Sequence, residues 1–169
     1  MQEDQWENLL DQLEKKLHKV NKELVFKFSA ELVNGKREFI ISADGLEEAF
    51  PSVIELVDRA PELKGFNIIA FRQPSQEEYS VSIDDISLTS EQVYFDYLYN
   101  SETELVDLKF FIEDFNPNNM AHDQAVFIMM DSVLGEYDAA TRVDSIELQK
   151  LHEKERLYPI MELRKRIVG

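Results

Sequence analysis

The chain has 169 residues, a length that fits one domain able to bury a substantial core. Hydrophobic residues make up 44% of the sequence, which argues against low-complexity disorder, and the formal net charge is −16. Cysteine is absent, so disulfides, thiolate zinc sites and cysteine nucleophiles are excluded. No apolar run approaches the roughly 20 residues that span a bilayer, and we expect a cytoplasmic protein without a membrane partner.

The negative charge is concentrated in one part of the sequence. Between Arg72 and Arg142 there are fifteen acidic residues and a single basic one, Lys109, which gives that segment a formal charge of −14. Such a field repels a phosphate backbone, so we expect no nucleic-acid partner. It would attract a basic protein. The alternative is that the acidic surface only keeps the protein soluble.

The first half of the chain predicts two kinds of element. Apolar residues at helical spacing indicate an amphipathic helix within residues 1–22, packed on the domain or used for dimerisation. Residues 24–72 then predict strand, strand, helix, strand, an order written ββαβ below. Asn34 and Gly35 mark the hairpin, because a two-residue type I′ turn needs positive φ at both positions. Pro51 marks the first turn of the helix.

The same ββαβ order is predicted again over residues 92–149, after a polar connector at 73–91 that contains a short strand at Ile86–Leu88. The second helix is apolar nearly all round, so both of its sides should be covered, and Asn118 or Asn119 can cap it. A last helix is predicted at 158–168. We therefore predict a single α+β domain, residues 1–169. Its sheet is largely antiparallel and built from two ββαβ units, with the N- and C-terminal helices packed on it.

Aromatic and acidic side chains are interleaved on one face of the first two strands of the second unit, opposite the face that carries the main apolar set. Aromatic rings interleaved with carboxylates suit recognition of a basic protein, through burial of the rings and steering by the charges. The alternative is that the first or last helix covers these rings. The candidate binding residues are Tyr94, Asp96, Asp107, Phe111, Glu113 and Asp114.

One acidic stretch has the spacing of oxygen ligands that opens a calcium loop, at Asp114, Asn116 and Asn118. However, Asn119 stands where a glycine makes the sharp turn, and Ala125 stands where a bidentate glutamate closes the loop. We interpret these asparagines as turn and cap residues.

No other motif predicts metal or cofactor chemistry. His122 and Asp123 adjoin in the first turn of the predicted helix, but a metal site needs a third converging ligand, and the other histidines lie far away in the sequence. No glycine-rich phosphate loop or Gly-x-Ser-x-Gly elbow occurs. With 34 acidic residues, carboxylate pairs arise by chance. We therefore assign no catalytic residue, metal or cofactor.

Three short segments carry a family resemblance. The run Asp131–Asp138 (DSVLGEYD) followed by the alternating strand Val143–Leu148 resembles a pattern in bacterial hypothetical proteins of unassigned function. Phe39–Gly45 and Ile69–Arg72 are similar to the same group. The resemblance implies a bacterial origin, and it implies no activity, ligand or site residue.

The function that the sequence favours is a non-enzymatic binding module, with an inhibitor or immunity-type partner of a basic protein as one form. The alternative is a small carboxylate-dependent hydrolase or ligand-binding enzyme with its site between the two halves, which predicts a deep polar pocket. The sequence leaves open whether the protein is a monomer or a homodimer through its first helix.

Overall fold

The computed structural model describes residues 3–75, 77 and 80–169, the side chains of residues 3 and 4 excepted. Residues 1 and 2 of the predicted first helix and residues 76, 78 and 79 of the predicted connector therefore lie outside the description. The chain divides into two compact units, Met1–Arg72 and Gln73–Gly169. The α+β class is confirmed, and so is the largely antiparallel strand pairing. In the described part, no helix is long and apolar enough to cross a membrane.

The first unit has the predicted ββαβ order behind an N-terminal helix. Its elements are α1 (Glu3–Leu17), β1 (Val25–Val33), β2 (Lys36–Ser42), α2 (Phe50–Asp58) and β3 (Phe66–Ala70). β1 and β2 are antiparallel across the Asn34-Gly35 turn, where φ is +52° and +77° as a type I′ turn requires. α2 then carries the chain across, so that β3 lies beside β2 and parallel to it.

The first unit buries few large side chains. Its buried apolar residues lie at the end of α1, just before β1, at and after the end of β2, at the start of α2 and just after β3: Leu17, Leu24, Ile41, Ala43, Ala49, Phe50, Val53 and Phe71. Phe26, Phe28 and Phe39 touch one another on the sheet, yet each is only half-buried. Part of the aromatic surface of this sheet therefore stays in contact with water.

The second unit opens with a hairpin that the sequence analysis treated as a connector. β4 (Ser80–Ile83) and β5 (Ile86–Thr89) are antiparallel, and they contact the long helix of this unit. The short strand at Ile86–Leu88 is confirmed, but the connector interpretation of this part is wrong, because Val81 and Leu88 belong to the core. The positions that alternate with Val81 and Leu88 are serine and threonine, so the sequence of this segment is polar although one side of it is buried.

The ββαβ order is confirmed a second time in the unit that follows. β6 (Val93–Asn100) and β7 (Leu105–Ile112) form an antiparallel hairpin, and β8 (Val143–Lys150) lies parallel to β7. Between them run α3 (Met120–Leu134) and the short α4 (Glu136–Arg142). The side chain of Asn119 accepts a hydrogen bond from the backbone N–H of Ala121 (3.0 Å), which confirms the predicted cap.

The C-terminal segment differs from its prediction. The predicted helix at 158–168 is a two-residue strand, β9 (Tyr158–Pro159), then a 3₁₀ turn and the five-residue helix α5 (Leu163–Ile167). β9 pairs with the outer edge of β6 at Tyr94 and Phe95. The strands of the described residues thus form three sheets, ordered β1-β2-β3, β4-β5 and β8-β7-β6-β9, rather than one continuous sheet.

The core of the second unit lies between its four-stranded sheet and α3, with the β4–β5 hairpin and the C-terminal segment also contributing. Phe95, Phe110, Met129, Ile160 and Leu163 are all fully buried in it. The prediction that α3 is covered on both sides is wrong, because Phe127 and Ile128 are each 47% exposed. The sheet has α3 on one face, and four of the candidate residues, Tyr94, Asp96, Asp107 and Phe111, lie on its other face.

Candidate functional site

The open face of the four-stranded sheet presents three rows of side chains, each crossing β6, β7 and β8. The strand register places residues of the three strands side by side, and every second residue points to this face. The rows are Tyr94–Phe111–Gln149, Asp96–Lys109–Glu147 and Leu98–Asp107–Ser145. We call these nine residues the open face. The residues between them, such as Phe95 and Phe110, point into the core.

The middle row is charged, with a lysine between two carboxylates. The Nζ of Lys109 lies 3.0 Å from a carboxylate oxygen of Glu147. Hydrogen bonds from Gln149 and from Lys109 hold the pKa of Glu147 below its ordinary value, so this carboxylate stays ionised and paired. Asp96, on the other side of Lys109, has no salt-bridge partner within the described residues. Its carboxylate accepts one hydrogen bond, from the backbone N–H of Tyr97 (2.9 Å).

The third row lines, together with the middle row, a shallow, open groove of about 430 Å³. Asp107 accepts a hydrogen bond from the hydroxyl of Ser145, and no basic side chain of the described residues forms a salt bridge with it. Leu98, its cross-strand neighbour, is 69% exposed and lies between Asp107 and Asp96 on this face. The groove therefore combines an exposed apolar side chain with two carboxylates that form no salt bridge within the described residues, beside Lys109, which pairs with Glu147.

The first row is aromatic and lies beside a separate cation. Tyr94 and Phe111 face each other across β6 and β7 and are half-buried. Lys154 lies 2.8 Å from a carboxylate oxygen of Glu113 and 4.7 Å from the centre of the Tyr94 ring. Hydrogen bonds to Glu113 and to Tyr94 raise the pKa of Lys154 above its ordinary value. This end of the face is thus neutralised by the chain's own lysine.

Five of the six predicted site residues are brought together, and one is not. Tyr94, Asp96, Asp107 and Phe111 belong to the open face, and Glu113 adjoins it through Lys154. Asp114 lies in the turn after β7 with φ of +54°, is exposed and leaves the face. Within the second unit, the C-terminal helix α5 contacts α3 on the core side, so it does not cover the aromatic row.

The outer edge of β6 is open beyond Phe95, where its pairing with β9 ends. Within the described residues no strand pairs with this edge between Asp96 and Asn100. The N–H of Tyr97 points outward, since it donates to the Asp96 side chain, and strand alternation turns the N–H of Tyr99 the same way. The carbonyl of Tyr97 and the backbone groups of Tyr99 are thus turned towards an added strand, whereas the N–H of Tyr97 is already bonded to the Asp96 side chain.

The residues considered for metal binding have structural roles. Asn116 and Asn119 accept backbone hydrogen bonds in the turn and cap before α3, as interpreted from the sequence. His122 is 5% exposed, packs edge-on against Phe115 with 5.5 Å between ring centres, and its Nδ1 has no hydrogen-bond partner in the described structure. Over the described ranges, no group of three histidine, aspartate or glutamate side chains is placed to hold a metal ion.

Five members of the open face are not among the candidate binding residues predicted from the sequence: Leu98, Lys109, Ser145, Glu147 and Gln149. A signal for two of them exists, because Ser145 and Glu147 alternate with Ile146 and Leu148 on a predicted strand. Their place on the face depends on β8 lying parallel to β7, a pairing that spans almost forty residues of chain and that periodicity does not reveal.

Fold and site together define an α+β protein whose second unit has residues of mixed aromatic, apolar and charged character on the sheet face opposite α3. Comparison of the chain with protein-family models, with curated protein sequences and with solved structures finds no match. What this face can bind is therefore argued from its chemistry.

Proposed function

We propose that the protein is a non-enzymatic binding module and that its open face binds a basic partner protein. The observation that carries the proposal is Leu98, 69% exposed between the carboxylates of Asp96 and Asp107, neither of which has a basic partner within the described residues. The aliphatic stem of a lysine or arginine would cover the leucine while its charged end pairs with a carboxylate. A basic side chain therefore fits both features at once.

The aromatic row supplies the second element of such an interface. Tyr94 and Phe111 are only partly buried, so a partner could remove further aromatic surface from water, and buried aromatic rings contribute strongly to protein interfaces. The charge around the face favours the same class of partner: the second unit has twenty acidic and eight basic residues, a formal charge of −12. This field would speed association with a basic protein and would weaken as salt is added.

The open edge of β6 supports an extended segment as the bound form. A strand added beside Asp96–Asn100 would bond to the backbone groups of Tyr99 and to the carbonyl of Tyr97, whose N–H is already bonded to the Asp96 side chain. Its alternate side chains would then reach Asp96 and Leu98 on the open face. A second copy of this unit fits less well, since two units of charge −12 repel one another. The proposal also places the protein in a bacterial cytoplasm, which its cysteine-free composition supports.

The test compares two variants that lose the same charge. The full chain is immobilised, incubated with bacterial extract at about 50 mM salt and eluted at about 500 mM, and the eluted proteins are quantified by mass spectrometry. We expect wild type to release a basic protein that the double variant Asp96→Asn/Asp107→Asn no longer retains. The matched control is Glu102→Gln/Glu104→Gln, in the exposed turn between β6 and β7.

The control separates recognition from general attraction. If both double variants lose the captured protein equally, the acidic surface acts only through its net charge, and the proposed site is wrong. Leu98→Ser tests the apolar contribution without a charge change, and we expect it to weaken retention by at least about tenfold. Retention of the same proteins by all three variants would equally contradict the proposal.

A further inference from the structure

The loop between β8 and β9, residues 151–157, connects the two outer strands of the four-stranded sheet and so crosses the ends of β7 and β6. Its first residue is fixed there, because the N–H of Leu151 donates to the carbonyl of Ile112 at the end of β7 (2.9 Å). Residues 152–156 are all exposed. Within the described ranges, Lys154 is the only one of them whose side chain forms a hydrogen bond or an ion pair. One lysine side chain therefore joins the exposed part of the loop to the sheet.

Lys154 is held by two groups at the aromatic end of the open face. Its Nζ lies 2.8 Å from a carboxylate oxygen of Glu113 and 4.7 Å from the centre of the Tyr94 ring. A carboxylate beside an aromatic ring suits any ammonium group, because the ring attracts the cation through its quadrupole and the carboxylate pairs with its charge. The contact is open to water, since the side chain of Lys154 is 54% exposed and that of Glu113 is 38% exposed. An ammonium group from outside therefore has access to the same two groups.

We propose that Tyr94 and Glu113 form an ammonium-binding subsite, which Lys154 fills in the free protein and which a lysine of the bound partner takes over by displacing it. The inference rests on the proposed function, since it concerns a partner held on the open face. Tyr94 precedes Asp96 by two residues, about 7 Å along β6. Alternate residues of an extended segment have the same spacing. A basic segment that pairs with Asp96 therefore presents its next side chain on that face to the subsite.

The contact of Lys154 is weak enough to be exchanged. Exposed ion pairs and exposed cation–π contacts each contribute little, because water and dissolved ions screen the charges. Releasing Lys154 breaks no strand pairing, since the ends of the loop are fixed by the backbone hydrogen bond of Leu151 and by the pairing of Tyr158 with β6. Lys154 thus competes with the partner, and its occupancy of the subsite lowers the apparent affinity of the open face for that partner.

NMR spectra of the full chain, titrated with a hexalysine peptide, test the displacement. In the free protein the ε-methylene protons of Lys154 lie beside the Tyr94 ring, so its ring current should shift their signals upfield. Lys154→Ala identifies these signals by their loss. We expect saturating hexalysine to return them towards the positions of a free lysine, whereas a hexalysine whose side chains are acetylated, and so carry no ammonium groups, should leave them unchanged. Signals that stay upfield in the hexalysine complex overturn the proposal, as does the absence of an upfield shift in the free protein.

The affinity for hexalysine tests the competition. Lys154→Ala removes the occupant of the subsite, and we expect it to bind hexalysine at least about threefold more tightly than wild type at about 50 mM salt. The matched control is Lys150→Ala, which makes the same charge change at an exposed position opposite Ile112 and should alter the affinity little. Adding Glu113→Gln to Lys154→Ala should cancel the gain, since the subsite then loses its carboxylate. Equal gains in Lys154→Ala and Lys150→Ala overturn the proposal, because only net charge then matters, and weaker binding by Lys154→Ala overturns it as well.

The double variant Asp96→Asn/Asp107→Asn separates a failure of this proposal from a failure of the proposed function. If the double variant loses hexalysine while Lys154→Ala binds it like wild type, the open face binds a basic partner and the subsite is wrong. If Lys154→Ala shows its gain while the double variant binds hexalysine like wild type, the subsite is supported and the groove at Asp96 and Asp107 is not the site that holds the partner.

Discussion

The two units have the same order and pairing of strands, but equivalent residues are buried to different extents. In the first, Phe28 faces Phe39 across an antiparallel pair, and Phe39 lies beside Ile68 on the parallel third strand. In the second, Phe95, Phe110 and Leu148 occupy the corresponding three positions. Yet Phe95 and Phe110 are fully buried, whereas Phe28 and Phe39 are only half-buried. Equivalent residues on equivalent strands therefore have different environments.

The elements added around each ββαβ order account for the difference. α2 has 9 residues and α3 has 15, which correspond to about 13 Å and about 22 Å of helix. In the second unit, the β4–β5 hairpin and α5 also pack on α3. α1 contacts β1 in the first unit, but it buries only its C-terminal leucine fully. The connectivity of the strands thus sets which residues meet, while the accessory elements decide how completely those residues are shielded from water.

The largest expected loss of stability comes from replacing the equivalent phenylalanines with alanine. Phe110→Ala should lower the free energy of unfolding by about 4 kcal/mol, because it removes a fully buried ring and leaves a cavity. Phe39→Ala should cost about 2 kcal/mol or less, since its ring is half-exposed and water can fill the space. Equilibrium unfolding in urea measures both. Equal costs for the two variants would contradict the difference in burial. Phe95→Ala and Phe28→Ala provide a second pair for the same test.

A smaller loss of stability is expected from breaking the ion pairs of Asp138, one of which links α4 to α5 in the C-terminal segment of the second unit. Asp138 lies 2.8 Å from Arg142 and 2.7 Å from Arg164. Partial burial raises the pKa of Asp138, but the hydrogen bonds and positive charges of the two arginines outweigh burial and hold it below its ordinary value of 3.8. At neutral pH, Asp138→Asn should therefore cost about 1–2 kcal/mol of stability.

The pH dependence of this cost has a definite sign. Because the pKa of Asp138 is lower in the folded state, its contribution is fully present above the unfolded-state value and is lost as pH falls through the folded-state value. The difference in stability between wild type and Asp138→Asn should thus shrink as pH is lowered from about 5 to below 3.8. Urea unfolding of dilute protein at several pH values measures it. Asp144→Asn, at an exposed position of β8, serves as the control and should show neither effect.

The smallest of the three losses of stability is expected from removing the N-terminal cap of α3, since α3 and α2 begin differently. α3 has a side-chain cap from Asn119, while Ala49 before α2 provides none. Asn119→Ala should cost about 1 kcal/mol, since the N–H of Ala121 loses its partner. Thermal unfolding of this variant is compared with that of Asn118→Ala, an exposed neighbour whose side chain does not cap the helix. If the two variants melt at the same temperature, the cap contributes nothing measurable.

Much of the local structure follows from short stretches of sequence. Asn34-Gly35 specifies its turn because few residue pairs accept positive φ twice, and Asn119 caps α3 because its short side chain reaches a backbone N–H. The alternation of Tyr94 and Asp96 with Phe95 likewise predicts that the first two lie on one face and the third on the other. Each of these features depends on residues within a few positions of one another.

Pairings between distant segments could not be predicted in this way. The approach of Glu147 to Lys109, the seating of Tyr158 beside β6, and the burial of Val81 and Leu88 all depend on contacts across many residues of chain. Periodicity shows that a helix or strand has an apolar side, but not whether another element covers it. The sequence of α1 alone thus determined an amphipathic helix, and only the tertiary structure decided that Trp6 and Leu9 face water. Burial is a property of what surrounds a side chain, and those surroundings are assembled in three dimensions.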